Sequence, residues 1–279
     1  MSEAHWPGEI DVELDDLAYR VGGVFASFLL QDSGCRSYGV EVAGERWFLK
    51  GATEARAVPS LERAVAVHAR VVHPAVIPLR RVVRTPSGPV LVYPWVDGEV
   101  LAGAPGDDVA IRRGPGSAHA RFRARSLPEV LDAFTAVLDA HVAITDAGLV
   151  AVDLYDGCFI YDFEARRMWL CDLDEYRPGP FVVEGDRLPG STRFMAPEEW
   201  EQGATVDERT TVFNLGRAGL VLLDEGPDAP FAVGDSFRGT AAMAAVLERA
   251  TRPVPEARHP TVRALVDEWR AAAPAGATR

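Results

Sequence analysis

Apolar and polar positions alternate with a period of two over much of the first hundred residues, and helical spacing dominates several later stretches. Val24 to Leu30 is an apolar run that reads as a first strand. Tyr38, Val40 and Val42 alternate with polar neighbours up to an Ala43-Gly44 turn, and Trp47 to Lys50 returns as the second arm of a hairpin. Pro78 to Arg84 and Pro89 to Tyr93 read as two further strands. Between the hairpin and these strands, Ser60 to Val72 has an N-cap serine and helical apolar spacing, and it stops at His73-Pro74. Residues 1 to 20 are acidic and are expected to form a partly ordered leader.

Farther along, Leu127 to Ala147 carries apolar residues at Val130, Leu131, Phe134, Val137, Leu138 and Val142, with Pro128 in its first turn and Gly148 at its end. That is a long helix. Phe159 to Tyr161 and Met168 to Cys171 are short apolar strands on either side of the polar turn Glu164 to Arg167, so they should pair as a hairpin. Ala241 to Ala250 and Thr261 to Ala272 read as helices, and the tail APAGATR should fray. Ala102 to Arg125 is rich in Gly, Pro and Arg without periodicity, which predicts a loop or mobile insertion. Strands first and helices later make an α+β chain.

The open end of the second hairpin brings candidate chemistry. Asp153 precedes its first strand and Asp172 follows its second, so the two carboxylates should converge. Two such acids can divide the work of phosphoryl transfer, one orienting the attacking hydroxyl and the other holding a magnesium ion. Two solvated turn aspartates are the plainer reading, since Asp is common at strand ends.

Composition narrows the classes. With 48% hydrophobic residues in 279, the chain can bury a large core. A net charge of −12 and a pI near 5.0 speak against nucleic acid or an anionic membrane surface as partner. No apolar run approaches the ~20 residues of a membrane helix, and the acidic start is unlike a signal peptide, so the expectation is a cytoplasmic protein. Cys35, Cys158 and Cys171 make neither a disulfide framework nor a zinc spacing. Cys158 and Cys171 flank the two aspartates, and with no cation nearby to lower their pKa a redox role is the minor reading. Arg112, Arg113, Arg121, Arg123 and Arg125 form a basic cluster, read as solvated rather than as a contact for an acidic partner. Lys50 is the only lysine in the chain, which suggests a position that wants a compact ammonium, such as one bridging phosphate oxygens.

GSTRFMAPE, Gly190 to Glu198, resembles the end of the activation segment of Ser/Thr protein kinases. Lys50, His73-Pro74, Asp153, Asp172 and Arg258 stand in the order of the protein-kinase-like superfamily, over roughly residues 35 to 270. The resemblance implies a bilobal fold: an N-terminal lobe at 1–96 with a five-stranded sheet, one helix and a hinge, and a helical C-terminal lobe at 97–279 carrying the 102–125 insertion. It implies ATP and Mg²⁺ as cofactors. Lys50, Gly34, Gly39, Tyr93, Pro94 and Val96 would contact the nucleotide, Asp153 and Lys50 would be catalytic, and Asp172 would bind the metal. Cys158 stands where the family has a metal-binding asparagine, and Asp174 or Asp156 could supply a second carboxylate instead. Ala64 stands where the family has the glutamate that pairs with the lysine, and Glu62 lies half a turn away. Ala151-Val152-Asp153 replaces His-Arg-Asp, and Thr211 replaces an anchoring aspartate. Arg258 should pair with Glu198 in a buried structural contact. The expectation is an ATP-dependent phosphotransferase acting on a hydroxyl of a protein. The alternatives are a pseudokinase scaffold that binds nucleotide or protein, and a kinase for a small hydroxylated metabolite.

Overall fold

A computed structural model of the chain describes residues 6–103, 111, 114–224 and 233–274. Arg112, Arg113, part of the 102–125 stretch and the last residues of the tail lie outside the described residues. The fold is mixed α and β, and it divides into two compact units. The first comprises Met1–Val72 and Ile77–Asp97, the second His73–Val76 and Gly98–Arg279. Among the described residues no helix is long and apolar enough to cross a membrane.

The first unit is a five-stranded antiparallel sheet: β1 (Gly23–Phe28), β2 (Cys35–Val42), β3 (Glu45–Ala52), β4 (Arg81–Thr85) and β5 (Gly88–Pro94), in the order β1-β2-β3-β5-β4. Alternation puts Tyr38, Val40, Leu49, Val90 and Val92 into a core on one face. That core is closed by helix α1 (Leu14–Val21) through Leu14, Leu17 and Ala18. The stretch read as a partly ordered leader therefore holds an ordered helix docked on the sheet. Leu14 and Leu17 lie three apart on one helical stripe, and Asp15 on the same helix accepts from Tyr38 Oη and Arg36, both at 2.8 Å. Upstream, Ile10 N donates to Arg84 O and Arg84 N to Gly8 O, so residues 8–10 cover the edge of β4. The opposite face of the sheet is closed at one end by helix α2 (Val58–His68), whose Leu61 and Ala64, with Ala57 just before it, pack on Cys35, Ala52 and Leu91. Among its described residues the unit thus has two α-helices where one was expected.

In the second unit, β6 (Glu99–Val100), β8 (Phe159–Asp162) and β9 (Arg167–Leu170) form a small sheet in the order β6-β8-β9. The connection of β8 to β9 is fixed by Asp162, whose Oδ1 accepts from Glu164 N and Ala165 N. Residues 73–76 lie beside β9, with Val76 bridged in parallel to Leu170 and Leu170 N donating to Ala75 O at 2.7 Å. Two more strand pairs, β7 (Leu149–Val150) with β10 (Arg177–Pro178) and β11 (Phe181–Val182) with β12 (Thr205–Val206), tie down the loops around the aspartates. Among the described residues its helices include α3 (Ala118–Arg123), α4 (Leu127–Asp146), α5 (Glu208–Leu223), α6 (Ala241–Ala250) and α7 (Val262–Ala272). Every residue of α5 from Thr210 to Leu223 is buried, which makes it the central post of this unit. Helix α3 corrects the reading of 102–125 as irregular. Ser117 caps it by accepting from Ala120 N, and its short buried stripe of Ala118, His119 and Phe122 is too brief to register as periodicity. Arg121 pairs with Glu99 and Arg125 with Glu129, so these two arginines of the basic cluster are engaged within the unit.

Candidate functional site

The ladder between β8 and β9 continues one step past the strands, because Cys171 N donates to Cys158 O at 2.9 Å. Beyond that step the chain turns sharply on both sides. Asp153 has φ +59° and Asp172 φ +60°, left-handed conformations that an aspartate adopts at a cost of about 1–2 kcal/mol each. Asp172 is exposed and Asp153 half-buried. Both carboxylates act on the same three neighbours. Burial raises the pKa of Tyr155, Tyr176 and the Cys158 thiol, and the negative charges of Asp172 and Asp153 raise each further. Both acids are thus within electrostatic reach of the same buried groups.

Several contacts hold this neighbourhood in place. Thr211 Oγ1, on α5, accepts from Ala151 N at 3.0 Å, so a hydroxyl serves where an aspartate was expected as the anchor. His141 Nδ1 must donate to Val137 O at 2.8 Å, which leaves Nε2 to accept from Tyr176 Oη at 2.9 Å. Burial lowers the pKa of His141 to about 4, in keeping with that neutral tautomer. Cys158 is fully buried, and its Sγ donates to Asp153 O at 3.4 Å. A neutral thiol that gives its proton to a carbonyl offers little to a hard cation. Asp156 is also buried, and Arg193 grips it with two bonds of 2.8 and 3.3 Å. Asp174 is buried. Among the described residues no group of three or more His, Cys, Asp or Glu side chains could hold a metal ion.

The GSTRFMAPE segment is fastened to α5 at two points. Arg258 meets Glu198 in a fully buried fork of 2.6 and 2.8 Å, the pairing expected from the sequence, and Thr210 Oγ1 adds a third bond to the same carboxylate. Next to it, Glu199 Oε2 accepts from Ala196 N and from Asn214 Nδ2, while the other hydrogen of that amide goes to Phe194 O. Glu199 Oε1 and Asn214 Oδ1 are buried acceptors with no donor. Sequence reading missed this pair and the Asp156–Arg193 pair. Glu199 directly follows a motif residue, Asp156 reads in the sequence only as a candidate metal ligand, and neither carries a periodic signal of its own.

The remaining candidates belong to the first unit. Lys50 sits on β3 opposite Ser37 and Leu91, half-buried, on the face that α2 partly covers. Glu62, on α2, pairs with Arg84. Ala64 faces the core. Neither expected loop glycine borders an open cradle. Gly34, with φ +76°, turns the chain against Glu54 and Arg56. Gly39 lies under two rings: a Cβ there would come within 2.7 Å of Phe25 and 2.8 Å of Trp95. Tyr93 is opposite Phe48 in the β3–β5 ladder, and the rings of Phe48 and His68 lie 6.4 and 5.4 Å from it. Pro94 lies opposite Trp47, Trp95 N donates to Arg46 O at 2.9 Å, and Val96 is half-buried. No protein-family model matches the chain, and no curated protein matches it.

Proposed function

We propose that the chain is a pseudokinase: a protein-kinase-like bilobal fold whose role is to bind another protein rather than to transfer a phosphoryl group. The observation that carries this reading is the covering of the Lys50 face of the sheet by the chain's own rings, Phe28, Phe48, Tyr93 and Trp95. Phe48 and Lys50 are two apart on β3 and so point to the same side. Glu62 pairs with Arg84, Asp156 is committed to Arg193, and the Cys158 thiol is committed to a carbonyl. These donors do not fit a magnesium nucleotide, so no phosphoryl-transfer step is derived from them. The kinase-like fold is supported by the five-stranded sheet, the paired aspartates and the buried Glu198–Arg258 contact. The intact fastening of GSTRFMAPE favours a protein partner over a small molecule.

One observation favours the phosphotransferase reading instead. Asp153 and Asp172 both hold strained left-handed conformations, and such strain concentrates at working sites. In that reading Lys50 would hold nucleotide phosphates, Asp172 a magnesium ion and Asp153 the acceptor hydroxyl. Calorimetric titration with a non-hydrolysable ATP analogue, with and without Mg²⁺, separates the two. The scaffold reading expects no heat of binding in either buffer. Magnesium-dependent binding that Lys50→Met and Asp172→Asn both weaken would overturn it.

A further inference from the structure

Trp95 and its neighbours form an aromatic stack within the first unit, in which Phe28, Phe48 and Trp95 are half-buried and Phe25 is exposed. Phe28 lies nearly parallel to the Trp95 indole, with an interplanar angle of 23° and centroids 6.5 Å apart. Phe25 meets the same indole edge-on at 4.8 Å, and Phe48 lies 6.4 Å from it. Gly39 supplies a side-chain-free floor, since a Cβ there would lie 2.8 Å from Trp95 Cζ3 and 2.7 Å from Phe25 Cε2. The stack lies on the face that bears Lys50. The other end of that face is filled by α2 through Leu61 and Ala64 against Ala52 and Leu91. Any planar group tethered to an anion on Lys50 would therefore have to lie over the Gly39–Phe48–Tyr93 row, where the stack already sits.

We infer that Trp95 is a plug: its indole takes the place, over Gly39 and beside Phe48, that a planar, purine-sized ring tethered through an anion to Lys50 would need. An indole and a purine are both fused five- and six-membered aromatic rings, and each gains from parallel stacking on a phenyl face and from burial over a bare backbone. The inference rests on the scaffold reading in one respect, that the wild-type chain binds no nucleotide. It adds that one side chain is responsible.

The test is calorimetry of the full chain and its Trp95→Ala variant with adenosine and with ATP plus Mg²⁺. Trp95→Ala should bind adenosine at least tenfold more tightly than the wild type, and free indole should compete with it. Adding Lys50→Met should remove any extra gain shown by ATP while leaving the gain for adenosine. A Trp95→Ala protein that melts cooperatively, has unchanged far-ultraviolet dichroism and binds adenosine no better than the wild type overturns the plug and leaves the scaffold reading standing. Wild-type protein that binds Mg-ATP removes both. Should the alanine variant fail to fold, Trp95→Leu keeps the apolar filling, lacks the flat ring and is held to the same tenfold criterion.

Discussion

Replacing Glu199 by glutamine should stabilise the protein at pH 8 and have much less effect at pH 5. Burial raises the pKa of Glu199 from 4.5 to about 7, against hydrogen bonds from Asn214 and Ala196 that lower it. A proton on Oε1 would also turn a buried acceptor that has no donor into a donor. Between pH 4.5 and about 7 the unfolded chain has released this proton and the folded chain has kept it. Stability therefore falls as pH rises through that window and levels off above it. The gap corresponds to about 3 kcal/mol, of which about 2–3 kcal/mol falls between pH 5 and 8. Glutamine keeps the acceptor for Ala196 N and Asn214 Nδ2 and places an N–H where the acid proton sits, without titrating. His119 and His141, both held near 4 by burial, impose the opposite slope below their unfolded pKa, but equally on both proteins. The assay is urea denaturation of wild type and Glu199→Gln at pH 5, 6, 7 and 8. Their free-energy difference should grow in favour of glutamine by about 2–3 kcal/mol across the series. Parallel curves would refute the claim that Glu199 is folded in as an acid.

Arg258→Ala should cost about 3–5 kcal/mol in the same urea assay, because it strands Glu198 as an unpaired buried charge; a loss below about 1 kcal/mol would mean the carboxylate finds water or a proton instead. Thr211→Val removes the acceptor for the buried Ala151 N–H and should cost about 1–3 kcal/mol, with amide exchange at Ala151 accelerated. Leu17→Ala should cost about 2–5 kcal/mol, since Leu17 is wholly buried against the sheet. A surface-like effect there would mean that the sheet does not hold the helix.

Much of the strand pattern was legible because alternation and turn chemistry agreed. Ala43 and Gly44 both take positive φ, as a tight two-residue hairpin turn requires, and β2 and β3 pair across them from Val42 and Glu45 outward. Long helices such as Leu127–Asp146 announced themselves through repeated apolar spacing and a proline in the first turn. Helix α1 did not, because its eight residues carry only one apolar stripe among acids, and its stability comes from docking on the sheet rather than from propensity. At the candidate site, the hairpin between Asp153 and Asp172 followed from two apolar runs about a polar turn. The commitments of their neighbours did not. That Asp156 is held by Arg193, that Glu62 turns to Arg84 and that rings cover Gly39 are outcomes of tertiary packing, and single residue types at a given spacing cannot encode them.

Residues 73–76 belong to the second unit although the first unit surrounds them in sequence. The backbone therefore passes from one unit to the other at 72/73, 76/77 and 97/98, and no single cut divides the protein into its two halves. A fragment beginning at Gly98 would lack Ala75 and Val76 and would leave the Leu170 edge of β9 without its neighbour, an open ladder prone to recruiting other strands. Protease nicking near Asp97 should accordingly leave two fragments that still migrate together until denaturant is added. Dissection of this chain calls for circular permutation through the 73–76 segment rather than truncation.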